Sequence, residues 1–440
     1  MSSRTGGLQF DHLLTLLRTQ LEQLPDRRVG KNIHYSMADI ALSAFSVFFT
    51  QSPSFLDFQR QMGRAKGQHN AASIFGVREI PTDNQIRSVL DAVEAERLYG
   101  IFDQVLEEVR KAGGIEEFRS LGGDVLVTLD GTEYYRSEKH FCAQCHRVKQ
   151  RNGKVGYKHL VLTSALVKPG KGEVLVLAPE FIRAEDGGKK AENEITASKR
   201  WVERMAEKLR PLSVTLVGDD LYAAHPFLSL VREKGLNFLC VCKPDSHPYL
   251  YESVESFRKG GELERYTERV GYGKKERIRE YEWMEEVPIR DSEDALRVGW
   301  VGVTEKNAAG EVVYKNAFIT NHPLSAQRVR EVVEAGRARW KVENEDINTL
   351  KTKGYHLEHN FGHGKQHLCE TLATLNMLAF LLHTLLDLYD ARYRVLRADR
   401  GRRHRFFQEL GTLLCYWYFD SWTEVLVFML TQLHLEDPGG

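Results

Sequence analysis

The sequence predicts a mixed α/β protein in which helices pack on a sheet, with helical regions before and after it. Three observations carry this. Short β-branched runs alternate with amphipathic helical stretches between about residues 124 and 245, the texture of helices laid on a sheet. A second set of alternating segments follows, from about 250 to 320, with little helical signal. The remaining chain carries helical periodicity or long apolar runs.

The elements follow in order. "LLTLLRTQLEQL" has helical spacing, and "MADIALSAFSVFF" reads as a buried helix. "IPTDNQIRSVLDAVEAERLYGIFDQVLEEVRKA" opens on a Pro and a Thr/Asp cap signal and continues as one long periodic run. Gly122 and Gly123 mark the change to strands. "DVLVTLDGTEYY" is one strand, and "GYKHLVLTSALVKPGKGEVLVLAPEFI" reads as two strands around a "KPGKGE" turn. "KAENEITASKRWVERMAEKLRP" is an amphipathic helix, "SVTLVGDDLY" a buried strand, "HPFLSLVREKG" a helix and "LNFLCVCKP" a strand. "ERIREYEWMEEVPI", "ALRVGWVGVTEK" and "EVVYKNAFITNH" then form a β-rich insertion or subdomain. From "LSAQRVREVVEAGRARW" onward the chain is mainly helical. This divides the chain into a helical region over 1–120, an α/β region over 121–385 with its insertion at about 250–320, and a helical, basic region over 386–440.

Composition bounds the function. The 440 residues carry 61 basic and 61 acidic side chains, and 42% are hydrophobic. A neutral chain has no global basic coat, but local basic patches remain open. The first twenty residues lack the apolar core of a secretory signal. "TLATLNMLAFLLHTLLDLY" is interrupted by Asn376, His383 and Asp387, so a buried helix is expected rather than a membrane span. Six cysteines without an even ladder of spacings suggest reduced thiols and a cytoplasmic setting.

Three acids sit where chemistry is expected. Asp130 closes "VLVTLD" and Asp219 closes "VTLVGD", and strand ends are where α/β folds place their sites. Glu343 lies in "RARWKVENEDINTLKTKG", read as a helix. At about 100° per residue, with Glu343 at zero, Trp340 falls at about 60°, Ile347 at about 40° and Leu350 at about −20°. Glu343 is therefore expected on the apolar face, with Glu345 opposite and Asp346 at the edge. A carboxylate there is costly unless paired or bound to metal. Taken singly, each acid has a bland reading: Asp130 and Asp219 as turn formers or caps, and Glu343 as the i,i+4 partner of Arg339. Together they offer an oxygen-rich cage for Mg²⁺ or Mn²⁺.

"LDGTEYY", "VGDDLYAAHPF" and "RWKVENEDINTLKTKGYHLEHNFGHG" resemble the three catalytic blocks of DDE insertion-sequence transposases, in particular the bacterial group whose third block reads Tyr-x2-Arg-x3-Glu-x6-Lys. "LPDRRVGKNIHYSMADIALSAFSVFF" and "IPTDNQIRSVL" resemble that group's leading region, so the resemblance spans nearly the whole chain. It implies a ribonuclease-H-like catalytic domain. Asp130, Asp219 and Glu343 would hold two Mg²⁺ or Mn²⁺ ions, and the chemistry would be nicking of transposon ends followed by 3′-hydroxyl strand transfer into target DNA. Residues 1–120 would recognise the terminal inverted repeats, a homodimer would assemble on two ends, and the protein would work at the bacterial nucleoid. The interval 343 − 219 = 124 residues can hold the family's β-rich insertion. Arg339 fits the third block as a DNA-phosphate or supporting residue. Gly336 stands at the Tyr position and Leu350 at the Lys position, which makes Lys351 a weaker phosphate contact. Asp220 competes with Asp219, but the spacing to Tyr222 aligns Asp219.

Three further segments bear on binding. "HFCAQCHRVKQRNGKVGYKH" allows a zinc reading through Cys142 and Cys145, with His140, His146 or His159 added. Because no second Cys pair follows, the preferred reading is a basic hairpin whose Lys139, Arg147, Lys149, Arg151, Lys154 and Lys158 track a phosphate backbone. "YHLEHNFGHGKQH" places His359, His363 and His367 at i,i+4 spacing after His356. Gly362 and Gly364 interrupt a helix there, so a loop is expected and no metal site. "RYRVLRADRGRRHR" packs seven Arg against one Asp and is read as a phosphate-binding surface including Arg402, Arg403 and Arg405. Two other readings stay open: a decayed or repurposed DNA-binding protein, and a related ribonuclease-H-fold nuclease. A phosphatase built on "TLDGT" is set aside because Thr128 stands where its nucleophilic Asp would be.

Overall fold

A computed structural model of the chain describes residues 6–30, 33–63, 69–149, 153–185, 190–359 and 361–439. The first part is helical: α1 (Phe10–Leu21), α2 (Met37–Phe49), α3 (Phe55–Met62), α4 (Asn70–Phe75), α5 (Asp83–Leu90) and α6 (Tyr99–Lys111). All residues of α2 are buried. α5 starts on a capping box, in which Thr82 accepts from the Gln85 N–H and the Gln85 side chain reaches back. The long run expected from residue 80 is broken, because a turn and a 3₁₀ segment, Ala95–Leu98, separate α5 from α6.

The middle of the chain is the expected mixed α/β layer. Its strands are β1 (Val125–Ser137), β2 (His146–Lys149), β3 (Val155–Val167), β4 (Leu175–Val176), β5 (Glu180–Ile182), the small pair β6 (Ala184–Glu185) and β7 (Lys190–Ala191), β8 (Val214–Gly218) and β9 (Asn237–Val241). The helices α7 (Glu194–Leu209) and α8 (His225–Glu233) lie between them, and α9 (Pro248–Gly260) follows. β3 runs antiparallel to β1, β5 antiparallel to β3, while β8 and then β9 run parallel to β1. β8, β9 and the first five residues of β1 are nearly continuous buried runs, the pattern of strands covered on both faces.

The β-rich insertion is β10 (Glu264–Val270), β11 (Arg277–Pro288), β12 (Arg297–Asn307) and β13 (Val312–Thr320). It does not stand apart. β13 pairs with β9, so the insertion extends the same sheet, in the order β10-β11-β12-β13-β9-β8-β1-β3-β2 with β4 and β5 also on β3.

The chain then forms α10 (Val329–Arg337), a π-turn over Val342–Ile347, α11 (Asn348–Thr352), α12 (Leu368–Tyr389), α13 (Ala391–Arg400), α14 (Arg403–Tyr416) and α15 (Trp422–Gln432). α12 is the one helix among the described residues long and apolar enough to cross a membrane, yet nearly all of it is buried inside the protein. It is apolar on every side because every side is packed. α2 lies along it, Phe10 meets Trp422 at 5.1 Å, and the Asn70 amide donates to the Leu414 and Trp417 carbonyls at 2.9 and 2.7 Å. The two helical ends of the chain therefore meet in one helical body beside the sheet.

Candidate functional site

Asp130 and Asp219 occupy matching places on neighbouring strands. Thr128 pairs with Val217 where β1 and β8 run parallel, and each acid lies two residues further on. Adjacent strands lie about 4.8 Å apart, so the two acids sit side by side where β8 ends; Asp130 does not close its strand as expected, because β1 continues to Ser137 with Asp130 paired to Thr163. Asp219 also caps the short turn behind it, its Oδ1 accepting from the Leu221 N–H at 2.8 Å. Asp220 turns away. Its carboxylate takes the Lys243 N–H at 2.6 Å and the Ser246 hydroxyl, which leaves it holding the turn after β9. Of the two candidates, Asp219 is the one beside Asp130.

The π-turn packs over β1 and β3. Glu343 stands on it with 48% of its side chain exposed and pairs with Arg339 at 2.6 Å. Asp130 is affected by all of these groups. Its carboxyl is pushed up to about 7, first by burial, then by the charges of Glu194, Glu343 and Asp219, with Arg339 pulling the other way. Asp219 and Glu343, the other two acids predicted with it, thus lie close enough to act on Asp130.

The predicted face of Glu343 is wrong. Trp340 is 45% exposed, so it does not mark a buried face, and the fully buried carboxylate is Asp346. Hydrogen bonds in a π-turn span five residues instead of four. A wheel drawn at the α-helical angle therefore misplaces Glu343 and Asp346, although Ile347 and Leu350 are buried as it predicts. Asp346 lies against Thr163, but the Thr163 hydroxyl donates to the Asp130 carbonyl at 3.3 Å. Both Asp346 oxygens are left without a hydrogen-bond partner. Burial, with the Asp130 charge nearby, pushes this carboxyl up to about 8. An unsatisfied buried polar group costs about 1–3 kcal/mol, so the π-turn is held in place against a local penalty.

Glu194 is a fourth acid that the sequence reading missed. Asn193 caps α7 by accepting from the Thr196 N–H at 2.9 Å, which sets Glu194 at the first helical position, where the helix dipole favours negative charge. Its Oε1 accepts from the Gly131 N–H at 3.1 Å and from the Tyr222 hydroxyl at 2.5 Å. Gly131 permits this approach, because a Cβ there would lie 2.2 Å from Glu194 Oε2. A Gly directly after Asp130, inside a strand, is the signal that could have pointed to a partner at this spot.

The irregular third block has a steric explanation. A Cβ on Gly336 would lie 2.5 Å from the Phe318 ring, so a Tyr has no room there. Leu350 is fully buried, so a Lys there would strand its charge. Lys351 points outward and pairs with Glu358 at 2.8 Å.

The arginine run is less available than its density suggests. Arg403 is turned inward, donating to the Tyr355 hydroxyl at 2.9 Å and facing Asp387 at 3.5 Å. Arg392 pairs with Asp437 and Arg400 with Glu409. Arg402 and Arg405 are exposed, and Arg405 pairs with Glu409 one turn on at 3.1 Å. In the basic hairpin, Lys158 faces Glu133 at 3.8 Å; Arg151 lies outside the described residues.

Cys142 and Cys145 are joined by His159 and His363, and the four ligand atoms lie within 4.8 Å of one another. His363 was read as part of a loop without metal, and it is the fourth member. His140 and His146 are not members; His146 Nε2 contacts the Ile182 carbonyl at 2.6 Å. No second Cys pair is needed, because both histidines come from elsewhere in the chain.

No family model matches this chain, and a search of curated proteins finds no significant relative.

Proposed function

We propose that the chain is a DNA transposase of the DDE type, which nicks the ends of a mobile DNA segment and joins their 3′-hydroxyls to target DNA. The observation that carries this is that Asp219, on the neighbouring strand, and Glu343, on the π-turn packed over β1, both act on Asp130, whose carboxyl is held up at about 7 by burial and by its acidic neighbours. The antiparallel β5, β3 and β1 followed by the parallel β8 and β9 agree with the ribonuclease-H-like fold that the resemblance implies.

The residues suit the metal that this chemistry uses. Several carboxylates crowd one place with one guanidinium among them, an arrangement that hard divalent cations such as Mg²⁺ or Mn²⁺ relieve. Asp130 would hold the ions from within β1, Asp219 from the end of β8 and Glu343 from the π-turn. Bound there, two such ions would activate the attacking water or 3′-hydroxyl and stabilise the leaving oxyanion. Glu194 fixes the Gly131 backbone and the Tyr222 hydroxyl, and so positions β1 at Asp130. Arg339 holds Glu343 until a DNA phosphate or a cation competes for either partner. Binding of terminal inverted repeats by residues 1–120, a homodimer across two ends, and action at the bacterial nucleoid belong to the same reading.

The test uses the DNA flanking the reading frame. Inverted repeats with short direct duplications beside them are expected, and a labelled fragment carrying one repeat should be nicked in Mg²⁺. Glu343→Gln should abolish nicking while sparing end binding, and Glu345→Gln should nick normally. Nicking by Glu343→Gln would overturn the triad. Binding without nicking by the unaltered chain would favour a repurposed DNA-binding protein, and nicking without joining a related nuclease.

A further inference from the structure

We infer that Cys142, Cys145, His159 and His363 form a closed, structural zinc site that staples the catalytic sheet to the loop leading into α12. The inference is independent of the DNA chemistry proposed above, since the ligands lie apart from the acids. His159 is four residues from Thr163 along β3, and Thr163 pairs with Asp130, a separation of roughly 13 Å at strand spacing.

Five of the six ligand-atom separations are close to those of a zinc tetrahedron. Zinc binds thiolate sulfur at about 2.3 Å and imidazole nitrogen at about 2.05 Å, which spaces tetrahedral ligands about 3.8 Å (S–S), about 3.6 Å (S–N) and about 3.4 Å (N–N) apart. Here the two sulfurs are 3.8 Å apart, the sulfur–nitrogen separations include 3.5, 3.2 and 3.4 Å, and the two Nε2 atoms are 3.1 Å apart. A sulfur pair at 3.8 Å is not a disulfide, whose bond is about 2.05 Å.

The surroundings orient the ligands. His363 Nδ1 donates to the Gly364 carbonyl at 2.8 Å, which places the proton on Nδ1 and leaves the Nε2 lone pair facing the cluster, as a metal-bound imidazole requires. The Cys142 N–H donates to Cys145 Sγ at 3.4 Å, a contact that favours thiolate. The Tyr135 ring packs on His363 at 4.6 Å, and Cys145, His159 and His363 are buried. All four tetrahedral positions come from protein, which makes the site structural and not catalytic.

Its mechanical role follows from where the ligands originate. The cysteines sit in the turn between β1 and β2 and His159 in β3, whereas His363 comes from the loop after α11. The far side of that loop is held by Asp91, which follows α5 and accepts the N–H groups of Lys365 at 2.9 Å, Gln366 at 3.0 Å and Leu368 at 3.1 Å. Zinc would therefore complete a connection running from the sheet through the loop to the helical body.

The full chain, purified through a tag that binds no metal, should carry one zinc per chain by elemental analysis. Exchange for Co²⁺ should give the thiolate charge-transfer absorption and intense visible bands of a tetrahedral site. His363→Ala should lose the tetrahedral visible bands, and Cys142→Ala, at a half-buried position that tolerates truncation, should lose one thiolate's share of the charge-transfer intensity. Strong chelation should expose the 356–367 loop to limited proteolysis. A folded chain that is metal-free after growth in zinc would overturn the inference. So would a cobalt spectrum without thiolate charge transfer, or an as-isolated Cys142–Cys145 disulfide.

Discussion

Replacing Asp130 with Asn should make the metal-free protein more stable, although it removes a residue proposed as essential. The Asp130 carboxyl moves from its ordinary 3.8 to about 7 in the fold. That difference penalises its charged form by about 4 kcal/mol, at about 1.4 kcal/mol per pH unit. Asp130 is partly wetted, so the expected effect is about 2–4 kcal/mol after solvent screening. The sign follows from proton counting. Between about pH 4 and pH 7 the unfolded chain has released this proton while the folded chain keeps it, so the wild type loses stability as pH rises through that window and levels off above it. Asp130→Asn does not share the loss. Its advantage should be small near pH 4.5 and complete by pH 8. Thermal unfolding in chelator, followed by fluorescence, reads this as a rise of roughly a few degrees at pH 8. Part of the penalty is repulsion from Glu194, Asp219 and Glu343, which a bound cation removes. Saturating Mg²⁺ should therefore raise the wild-type midpoint more than that of the variant. A variant no more stable than wild type at pH 8 in chelator would refute the reasoning.

The other predictions concern the departures from the family pattern. Gly336→Ala should cost about 1–3 kcal/mol, because its Cβ meets the Phe318 ring; Gly336→Tyr, which restores the family residue, should do worse, and a denaturant midpoint unchanged by either would contradict the packing argument. Arg402→Ala should weaken DNA binding and flatten its salt dependence with no loss of stability, since Arg402 is exposed. Arg403→Ala should instead lower the melting temperature, because it strips Tyr355 and Asp387 of an internal partner; binding titrations at several salt concentrations, beside melting curves, separate the two.

Much of the layer was legible because the signals were local. The first five residues of β1 and the whole of β8 are short apolar runs followed by Asp130 and Asp219, and the amphipathic pattern of α7 and α8 says which strands are crossed over. What failed depends on contacts between distant segments. Nothing in "NAFITNH" says that β13 will pair with β9 and continue the sheet. The π-turn cannot be seen in a helical wheel, which puts Glu343 on the apolar face and Asp346 only at its edge. Glu194 reads as an ordinary first-turn acid until β1 is placed beside it. His363 was judged within its own segment, whereas its partner His159 lies 204 residues away. Arg403 looks like its neighbours in a basic run because Asp387, which turns it inward, sits on α12, two helices earlier.

The central claim is that Asp130, Asp219 and Glu343 together hold divalent cations, and counting bound Mn²⁺ tests it most directly. With the cysteine–histidine cluster loaded with zinc, the electron paramagnetic resonance signal of free Mn²⁺ should fall as the wild-type chain is added. It should fall far less for Asp219→Asn and Glu343→Gln, while Asp220→Asn should match wild type. Equal Mn²⁺ binding by the wild type and the Asp219 and Glu343 variants would contradict the account.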